Sequence, residues 1–323
     1  MTTEPLGWGL IGTGMIATAF AKDMTLTRSG RVVAVGSRSR ESAEVFATAF
    51  DIPNRHGSYE ALVADPEVDV VYVATPHPMH HANTLLALQA GKPVLVEKAF
   101  TMNSTEAREL VAAARSRDLF LMEAMWTRFL PHIAEINRLV AEGALGEIIS
   151  VTADHGQWFT KDAAFRLFAP ELGGGALLDL GIYPVSFASM ILGQPDRIVS
   201  LITPAFTGVD GSTSMVFGYS NGAQAVLTCT LSAKTPTRAV IAGTEARIEI
   251  EGDFYGPSDF RLIGRDSTAT VFAPAHEGGL RYEADEVARC VRGGLTESPL
   301  MPLDETVAIM ETMDAVVAQA QVM

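Results

Sequence analysis

Between Leu6 and Ala17 the chain reads Leu-Gly-Trp-Gly-Leu-Ile-Gly-Thr-Gly-Met-Ile-Ala, an apolar run that opens into Gly12-x-Gly14-x-x-Ala17. Glycines at that spacing serve pyrophosphate binding. Gly12 permits the tight turn out of a strand, Gly14 lets a ligand approach the backbone, and Ala17 lets the next helix lie close on its sheet. The segment Gly12, Thr13, Gly14, Met15, Ile16 would then meet the phosphates at the positive end of that helix. A second β-branched run, Arg31–Gly36, ends in Ser37-Arg38-Ser39-Arg40. A carboxylate at this point, about 20 residues past the glycines, would bond the ribose hydroxyl of NAD. Two guanidinium groups suit a 2′-phosphate instead, onto which Arg38 can fork or stack and to which Ser37 can donate. The expected coenzyme is NADP, with NAD as the alternative.

Strands and helices must deliver these residues to one edge. A helix is expected over Met15–Met24, strands over Asp69–Thr75, Pro93–Lys98 and Leu119–Ala124, and helices over His81–Ala90 and Ser104–Arg117. Gly91 ends one helix, and Ser104, with Glu106 and Ala107, caps the next. Strand and helix in alternation predict an α/β architecture, a doubly wound parallel sheet of Rossmann type, over residues 1–124. From about His132 short strands dominate: Ile148–Asp154, Ile198–Ala205, Ser212–Tyr219, Ala223–Leu231 and Ala246–Glu251, with Ser220-Asn221-Gly222 as a hairpin turn. Residues 125–323 are therefore expected to form an α+β domain with a mainly antiparallel, open-faced sheet, covered on one side by helices Leu177–Leu192 and Glu283–Arg292. Along Val226–Leu231 neither side of the strand is charged, so the open face is expected to meet a second copy in a homodimer.

A chain of 323 residues that is 48% hydrophobic can bury two cores. A net charge of −14 argues against nucleic acid, which needs clustered Lys and Arg. Cys229 and Cys290 form no close pair, so no disulfide framework or cysteine zinc site is expected, and a reducing cytoplasm fits. No apolar run reaches the length of about 18 residues that marks a membrane span. The N-terminal Met-Thr-Thr-Glu-Pro lacks the basic start of a signal peptide, so the first strand is expected to stay in the mature fold; no membrane partner is expected.

In an open α/β sheet the ligand lies beyond the carboxyl ends of the strands. Three groups stand there: Thr75-Pro76-His77-Pro78-Met79-His80-His81, Glu97-Lys98, and Glu123-Ala-Met-Trp126-Thr-Arg128-Phe129. With the glycine turn, with Ala90-Gly91-Lys92-x-Val94-Leu95-x-Glu97-Lys98, and with Gly173-Gly-Gly175-Ala-Leu-Leu-Asp179-Leu-Gly181-Ile-Tyr183-Pro184, the whole chain resembles the family of glucose-fructose oxidoreductase, inositol dehydrogenase and rhizopine-catabolism proteins, the Gfo/Idh/MocA oxidoreductases. His77-Pro78-x-His80, Glu123-Ala-Met-Trp-Thr-Arg128-Phe and a tyrosine at 183 are most similar to its dimeric dihydrodiol and NADP-dependent D-xylose dehydrogenases. One departure is Ala99, where the family's Glu-Lys-Pro has proline, which puts the loop geometry in question more than the chemistry.

Oxidising a carbinol moves a hydride to the nicotinamide and leaves a proton that a positioned base must take. Tyrosine is a poor base at its ordinary pKa of about 10, but a nearby ammonium favours the phenolate. Lys98 and Tyr183 are thus the expected acid/base pair. Asp179, four residues before Tyr183, would lie on the same helical face and accept a hydrogen bond from a second hydroxyl, which suits a polyhydroxy substrate. Trp126, Arg128 and Phe159 are expected to line the substrate cavity, with His155 and Trp158 as weaker candidates. Thr75, Pro76, His77, His80, Glu97 and Lys98 are expected against the cofactor. His77, His80 and His81 cluster in sequence, but with no carboxylate or cysteine beside them no metal is expected. The reaction that follows is hydride transfer at a secondary hydroxyl or carbonyl of a sugar, polyol or cyclic trans-diol. An NAD-dependent glycosidase of the same family and a non-catalytic NADP(H) sensor are the alternatives.

Overall fold

The computed structural model describes residues 4–274 and 277–322, so Met1–Thr3, on which part of the N-terminal reading rests, lie outside the described residues. The chain divides into two compact units, one of Met1–Trp126 with Gly278–Val307 and one of Thr127–Glu277 with Ala308–Met323.

The first unit holds six strands: β1 (Leu6–Ile11), β2 (Gly30–Gly36), β3 (Asn54–His56), β4 (Val70–Val73), β5 (Val94–Glu97) and β6 (Leu121–Ala124). They form one parallel sheet in the order β3-β2-β1-β4-β5-β6, the doubly wound arrangement expected. β4, β5 and β6 are buried along their whole length, as short β-branched runs between two helical layers must be. The helices between them are α1 (Met15–Asp23), α2 (Arg40–Ala49), α3 (Tyr59–Val63), α4 (His80–Gln89) and α5 (Ser104–Arg115). Gly91, with φ of +75°, does end α4. The cap of α5 is Asn103, one residue earlier than expected, because its side chain accepts from the Glu106 amide at 3.0 Å. In the core Phe20 stacks on Tyr72, centroids 4.1 Å apart, and Trp8 lies tilted against Phe20 at 5.2 Å.

The second unit starts with α6 (Pro131–Ala141) and β7 (Ile148–Gly156), then α7 (Ile182–Leu192), β8 (Arg197–Pro204), β9 (Asp210–Gly218), β10 (Gln224–Thr230), β11 (Ala239–Gly243), β12 (Ala246–Ile250), β13 (Phe260–Gly264) and β14 (Ala269–Phe272). With the terminal strand β15 (Gln321–Val322) these build a nine-stranded sheet in the order β14-β13-β12-β11-β7-β10-β9-β8-β15. Its pairs are antiparallel except β7 with β10 and β8 with β15. The Ser220–Gly222 turn joins β9 to β10 as read, with Gly222 at φ of +89°. One sheet face buries Met215, Phe217, Leu227 and Cys229, and the other exposes Val199, Val216 and Val226. An 18-residue window within 170–192 has the mean hydropathy of a membrane span, 1.5, yet 72% of it is buried inside the fold. It is the core helix of this unit.

One helix departs from expectation. α8 (Leu280–Arg292), expected to cover the antiparallel sheet, packs on α1 and β2 of the first unit. The Asp23 carboxylate at the end of α1 accepts from the Gly279 and Leu280 amides at 2.6 and 2.8 Å, capping α8 from outside. Asp285 accepts from Ser29 Oγ at 2.6 Å, and Arg292 donates to the Ser29 carbonyl at 2.8 Å. Residues 278–307 therefore belong with the first unit, and 125–323 is not one domain. The chain then passes through α9 (Leu303–Ala318).

Glu283 of α8 is fully buried, with no hydrogen-bond partner for either oxygen among the described residues. Burial, followed by the negative charges of Glu97 and Asp23, pushes its carboxyl well above the ordinary range. The unfolded chain releases this proton near the ordinary value of 4.5 whereas the folded chain keeps it, so stability falls as pH rises through and above that value. Glu283→Gln, which keeps the shape without the charge, should raise Tm by about 3 °C or more at alkaline pH and change it little at acid pH. Thermal melts across pH check this, and equal shifts at both ends would refute it.

Candidate active site

Gly12 closes β1 with φ of +112°, and a Cβ there would lie 2.7 Å from the Ala74 carbonyl oxygen. Its amide donates to the Gly36 carbonyl at 3.0 Å, which draws the turn to the end of β2. Gly14 is the N-cap of α1, and a Cβ there would meet nothing within 4 Å. Internal packing therefore explains the glycine at 12 but not the one at 14. The open space lies at a helix N-terminus with no acid in its first turn, beside a Met15 that is 77% exposed. Ala17 is fully buried, as a residue pressed to the sheet should be. The geometry fits a dinucleotide pyrophosphate on the α1 amides. At the end of β2, Ser37 is buried and its Oγ accepts from the Ser39 amide at 3.3 Å. Arg38 is exposed and bonds the Tyr59 hydroxyl, while Arg40 turns away to Glu44 at 3.0 Å. Of the two guanidinium groups, Arg40 is thus engaged within α2 and Arg38 with Tyr59 of α3.

The loops after β4 and β5 are tied together by buried side chains. His80 is fully buried, with Nδ1 at 2.9 Å from the Ala99 carbonyl and Nε2 at 2.8 Å from the Thr75 carbonyl. His80 thus links the loop after β4 to the loop after β5. His77 is likewise buried, its Nε2 at 3.2 Å from the Lys98 carbonyl. Thr75 Oγ1 accepts from Asn83 Nδ2 at 3.1 Å, and the loop continues through Pro76 into a short helical turn, His77–Met79. Glu97, expected against the cofactor, is buried instead: it accepts from the Tyr72 hydroxyl and from the Lys98 amide. Glu123 of β6 accepts from the Phe100 amide at 3.1 Å. What these contacts leave half-exposed at the loop is Lys98. His81 points elsewhere, to Glu109 at 2.8 Å, and among the described residues no three potential metal ligands converge. Trp126 packs over Gly279, where a Cβ would lie 2.2 Å from the indole.

In the second unit, one wide π-helical turn, Leu177–Gly181, leads into α7, where a single α-helix from 177 to 192 was expected. Such turns recur at functional sites because they re-aim side chains. The segment carries Asp179 and Tyr183, both buried. Tyr183 is walled by two rings, His155 of β7 at 5.3 Å and Tyr255 at 4.7 Å, which stack on each other at 4.3 Å. Asp179 is gripped by Arg166, whose Nη1 and Nη2 donate to Oδ1 and Oδ2 at 3.0 and 3.2 Å. The expectation of a carboxylate facing substrate alone is thus revised: it comes with a bidentate guanidinium, on an Arg166 side chain that is 42% exposed. Arg128, expected in the substrate cavity, is buried and donates to Ser186 Oγ at 3.1 Å and to the Ser186 carbonyl at 2.9 Å, so it braces α7. Phe159 is half-buried against Phe165, and Trp158 is 65% exposed. Arg166 and Tyr255 escaped the sequence reading. Both sit in irregular loops, and a 13-residue separation of Arg166 from Asp179 carries no periodic signal.

Residues 6–125 match the model of the oxidoreductase family with an NAD-binding Rossmann fold, and residues 133–249 match that of the GFO/IDH/MocA C-terminal domain. The chain belongs to the Gfo/Idh/MocA oxidoreductases. Trans-1,2-dihydrobenzene-1,2-diol dehydrogenase of Xenopus tropicalis is 37% identical over 97% of each chain, and that of Bos taurus is 38% identical over 96% of each. Among solved structures, KijD10, a 3-ketoreductase from Actinomadura kijaniata in complex with NADP and TDP-benzene, superposes with a TM-score of 0.89 at 27% identity, covering 99% of both chains. An aldose-aldose oxidoreductase from Caulobacter crescentus shares the fold, with a TM-score of 0.89 at 24% identity over 98% of this chain and 97% of that one. At the Gfo/Idh/MocA departure noted above, the Lys98–Ala99 peptide is cis without a proline.

The two glycines should separate on substitution. Gly14→Ala should fold normally, within about 0.5 kcal/mol of wild type, yet lose most nucleotide affinity. Gly12→Ala should destabilise the protein by about 1–3 kcal/mol through its strained φ and its clash with Ala74. Denaturant titration and coenzyme fluorescence check both, and a Gly14→Ala protein that binds nucleotide normally would remove the pyrophosphate assignment.

Proposed function

We propose that the protein is an NADP-dependent oxidoreductase that interconverts a secondary hydroxyl and a carbonyl on a cyclic trans-diol, sugar or polyol. The observation that carries this reading is Tyr183, a buried phenol between the rings of His155 and Tyr255, on the same helical segment as an Arg166-clamped Asp179. A phenol so enclosed is shielded from bulk water and can exchange its proton with a bound hydroxyl. Similarity to the trans-dihydrodiol dehydrogenases along nearly the whole chain, and to a ketoreductase solved with NADP, supports both substrate class and coenzyme. So does an exposed Arg38 where NAD enzymes place a carboxylate.

A nicotinamide coenzyme held by the Gly12–Ile16 turn and Arg38 would supply the hydride acceptor for oxidation and the hydride donor for reduction. The protein supplies the proton chemistry. In oxidation Tyr183 Oη takes the hydroxyl proton as the carbonyl forms, and in reduction it gives that proton back to the carbonyl oxygen. An ammonium beside a phenol favours the phenolate, and that is the role the sequence assigns to Lys98. Asp179, fixed in orientation by the Arg166 fork, accepts from the substrate's second hydroxyl, and Arg166, on a partly exposed side chain, donates to substrate oxygens. The buried, unpaired Cys229 and Cys290 support a reducing, cytoplasmic setting.

The open sheet face supports a homodimer. Val199, Val216, Val226, Thr152 and Val240 lie in one register row across β8, β9, β10, β7 and β11. Val199, Val216 and Val226 are 53%, 42% and 45% exposed, and an in-register apolar row is self-complementary under a two-fold axis.

Turnover of a trans-diol and sugar panel with added NADP, followed at the reduced-nicotinamide absorbance, tests the reaction. Tyr183→Phe should bind NADP normally and lose about 10² or more in rate, and Arg38→Ala should weaken NADP but not NAD. Nucleotide binding without turnover would favour a sensor, and sugar release from a glycoside without added nucleotide would favour a glycosidase. Sedimentation should give twice the chain mass, and Val216→Arg should yield a folded monomer; a wild-type monomer would end the dimer assignment.

A further inference from the structure

We propose that Asp210, the first residue of β9, is the positioning residue of the proton-transfer segment: its carboxylate anchors the N-terminal end of the helical stretch that carries Asp179 and Tyr183. The role rests on the reaction assigned above, but the contacts stand by themselves. Leu177 donates its amide to Asp210 Oδ2 at 2.6 Å, and the Ala176 amide is also bonded to this carboxylate. Thr213 Oγ1, on the same strand, donates to Oδ2 at 3.4 Å. These are the orphan amides that open a helix, here satisfied from a strand more than thirty positions away, since the two residues of the shorter bond are separated by 33. A carboxylate at that end also opposes the positive pole of the helix.

Two glycines record how closely the segment is pressed onto the sheet. Gly175, with φ of +132°, would place a Cβ 2.1 Å from Asp210 Oδ1. At the other end of the π-helical turn, a Cβ on Gly181 would lie 2.9 Å from the sulfur of Cys229 on β10. Asp179 lies between these two points and Tyr183 two residues past the second. A shift at either anchor is passed to both side chains, and misplacement by about 1 Å is enough to lower a chemical rate by about 10².

The anchor is sensitive to pH. Burial raises the Asp210 carboxyl to about 6, against the lowering effect of its amide bonds. The groups that face it are the Ala176 and Leu177 amides from the helical segment, the Thr213 hydroxyl from its own strand, and the Cys229 thiol from β10. Burial and the Asp210 charge push that thiol far up, so it stays neutral. As pH falls through about 6, Asp210 gains a proton and the attraction to the helix end is lost. The sign differs from that of the catalytic phenol in one direction of the reaction. For carbonyl reduction Tyr183 must be protonated, so acid favours it, and a fall in kcat on the acid side reports Asp210.

The test compares wild type, Asp210→Asn and Asp210→Ala by hydrogen exchange of residues 176–183, by NADPH binding, and by kcat for reduction from about pH 5 to about pH 8. Asp210→Ala should speed exchange across that segment by about tenfold and lower kcat by about tenfold or more, with NADPH affinity unchanged. Asp210→Asn, which keeps the shape and one acceptor, should fall between and lose the acid-side decline that wild type shows. Unchanged exchange in Asp210→Ala, or an unchanged acid decline in Asp210→Asn, would overturn the proposal. If wild type reduces no carbonyl, the assigned reaction fails, and the exchange result still decides whether Asp210 anchors the segment.

Discussion

His80 is lodged between two carbonyl oxygens that belong to different loops, those of Thr75 and Ala99, with one N–H to donate in the neutral ring that burial favours, and this placement sets how far apart the loops after β4 and β5 can lie. A hydrogen bond of this kind contributes only about 1 kcal/mol, but a buried acceptor left without its donor costs about 1–3 kcal/mol. The constraint works by making every other loop arrangement worse. Glu97 and Glu123 act the same way, each holding a backbone amide of the loop that carries Lys98. Side chains that look chemically active in the sequence are here the fixings of the loop that carries Lys98.

The second unit repeats the logic on a helix. The segment from Ala176 onward is held at its start by Asp210, seated on Cys229 at Gly181, and held further along by Arg128 at Ser186. Each anchor reaches it from a different part of the chain. Asp179 and Tyr183 lie between the first anchor and the last, so the backbone that carries them is placed by contacts that neither makes, while Arg166 and the rings of His155 and Tyr255 orient the side chains themselves.

What could be read from the sequence follows from this arrangement. The alternating pattern, the glycine turn and the hairpin are local, with causes that lie within a few residues: a φ that only glycine adopts readily, or a β-branched run bounded by turns. The turn at Gly12 and the close seat of Ala17 on the sheet were legible for that reason. Asn54–His56 was not, since three polar residues carry no strand signal and become β3 only by pairing with β2. The placement of α8 was hidden because an amphipathic helix announces that it has a buried face and not which sheet receives it. Arg128, His80 and Glu97 were recognised as unusual residues at strand ends and given ligand contacts, whereas burial turned their polar atoms inward. Arg166 and Asp210 belong to irregular backbone or a strand end, and their partners lie 13 and 33 residues away, distances at which spacing says nothing.

The return of α8 to the first sheet has a consequence for how the protein comes into being. The nucleotide-binding half is not a continuous stretch of chain: it is interrupted by residues 127–277 and completed by 278–307. On a ribosome that releases the N-terminus first, β1 to β6 emerge long before the helix that covers α1 and β2, and Asp23 and Ser29 wait without their partners until nearly the whole polypeptide has been made. Neither half can be cut out as a single segment, so a gene fragment ending near residue 126 would encode a sheet lacking part of its cover. Lineages that exchange such modules by recombination would have to carry both pieces at once, which favours inheritance of the two halves as one.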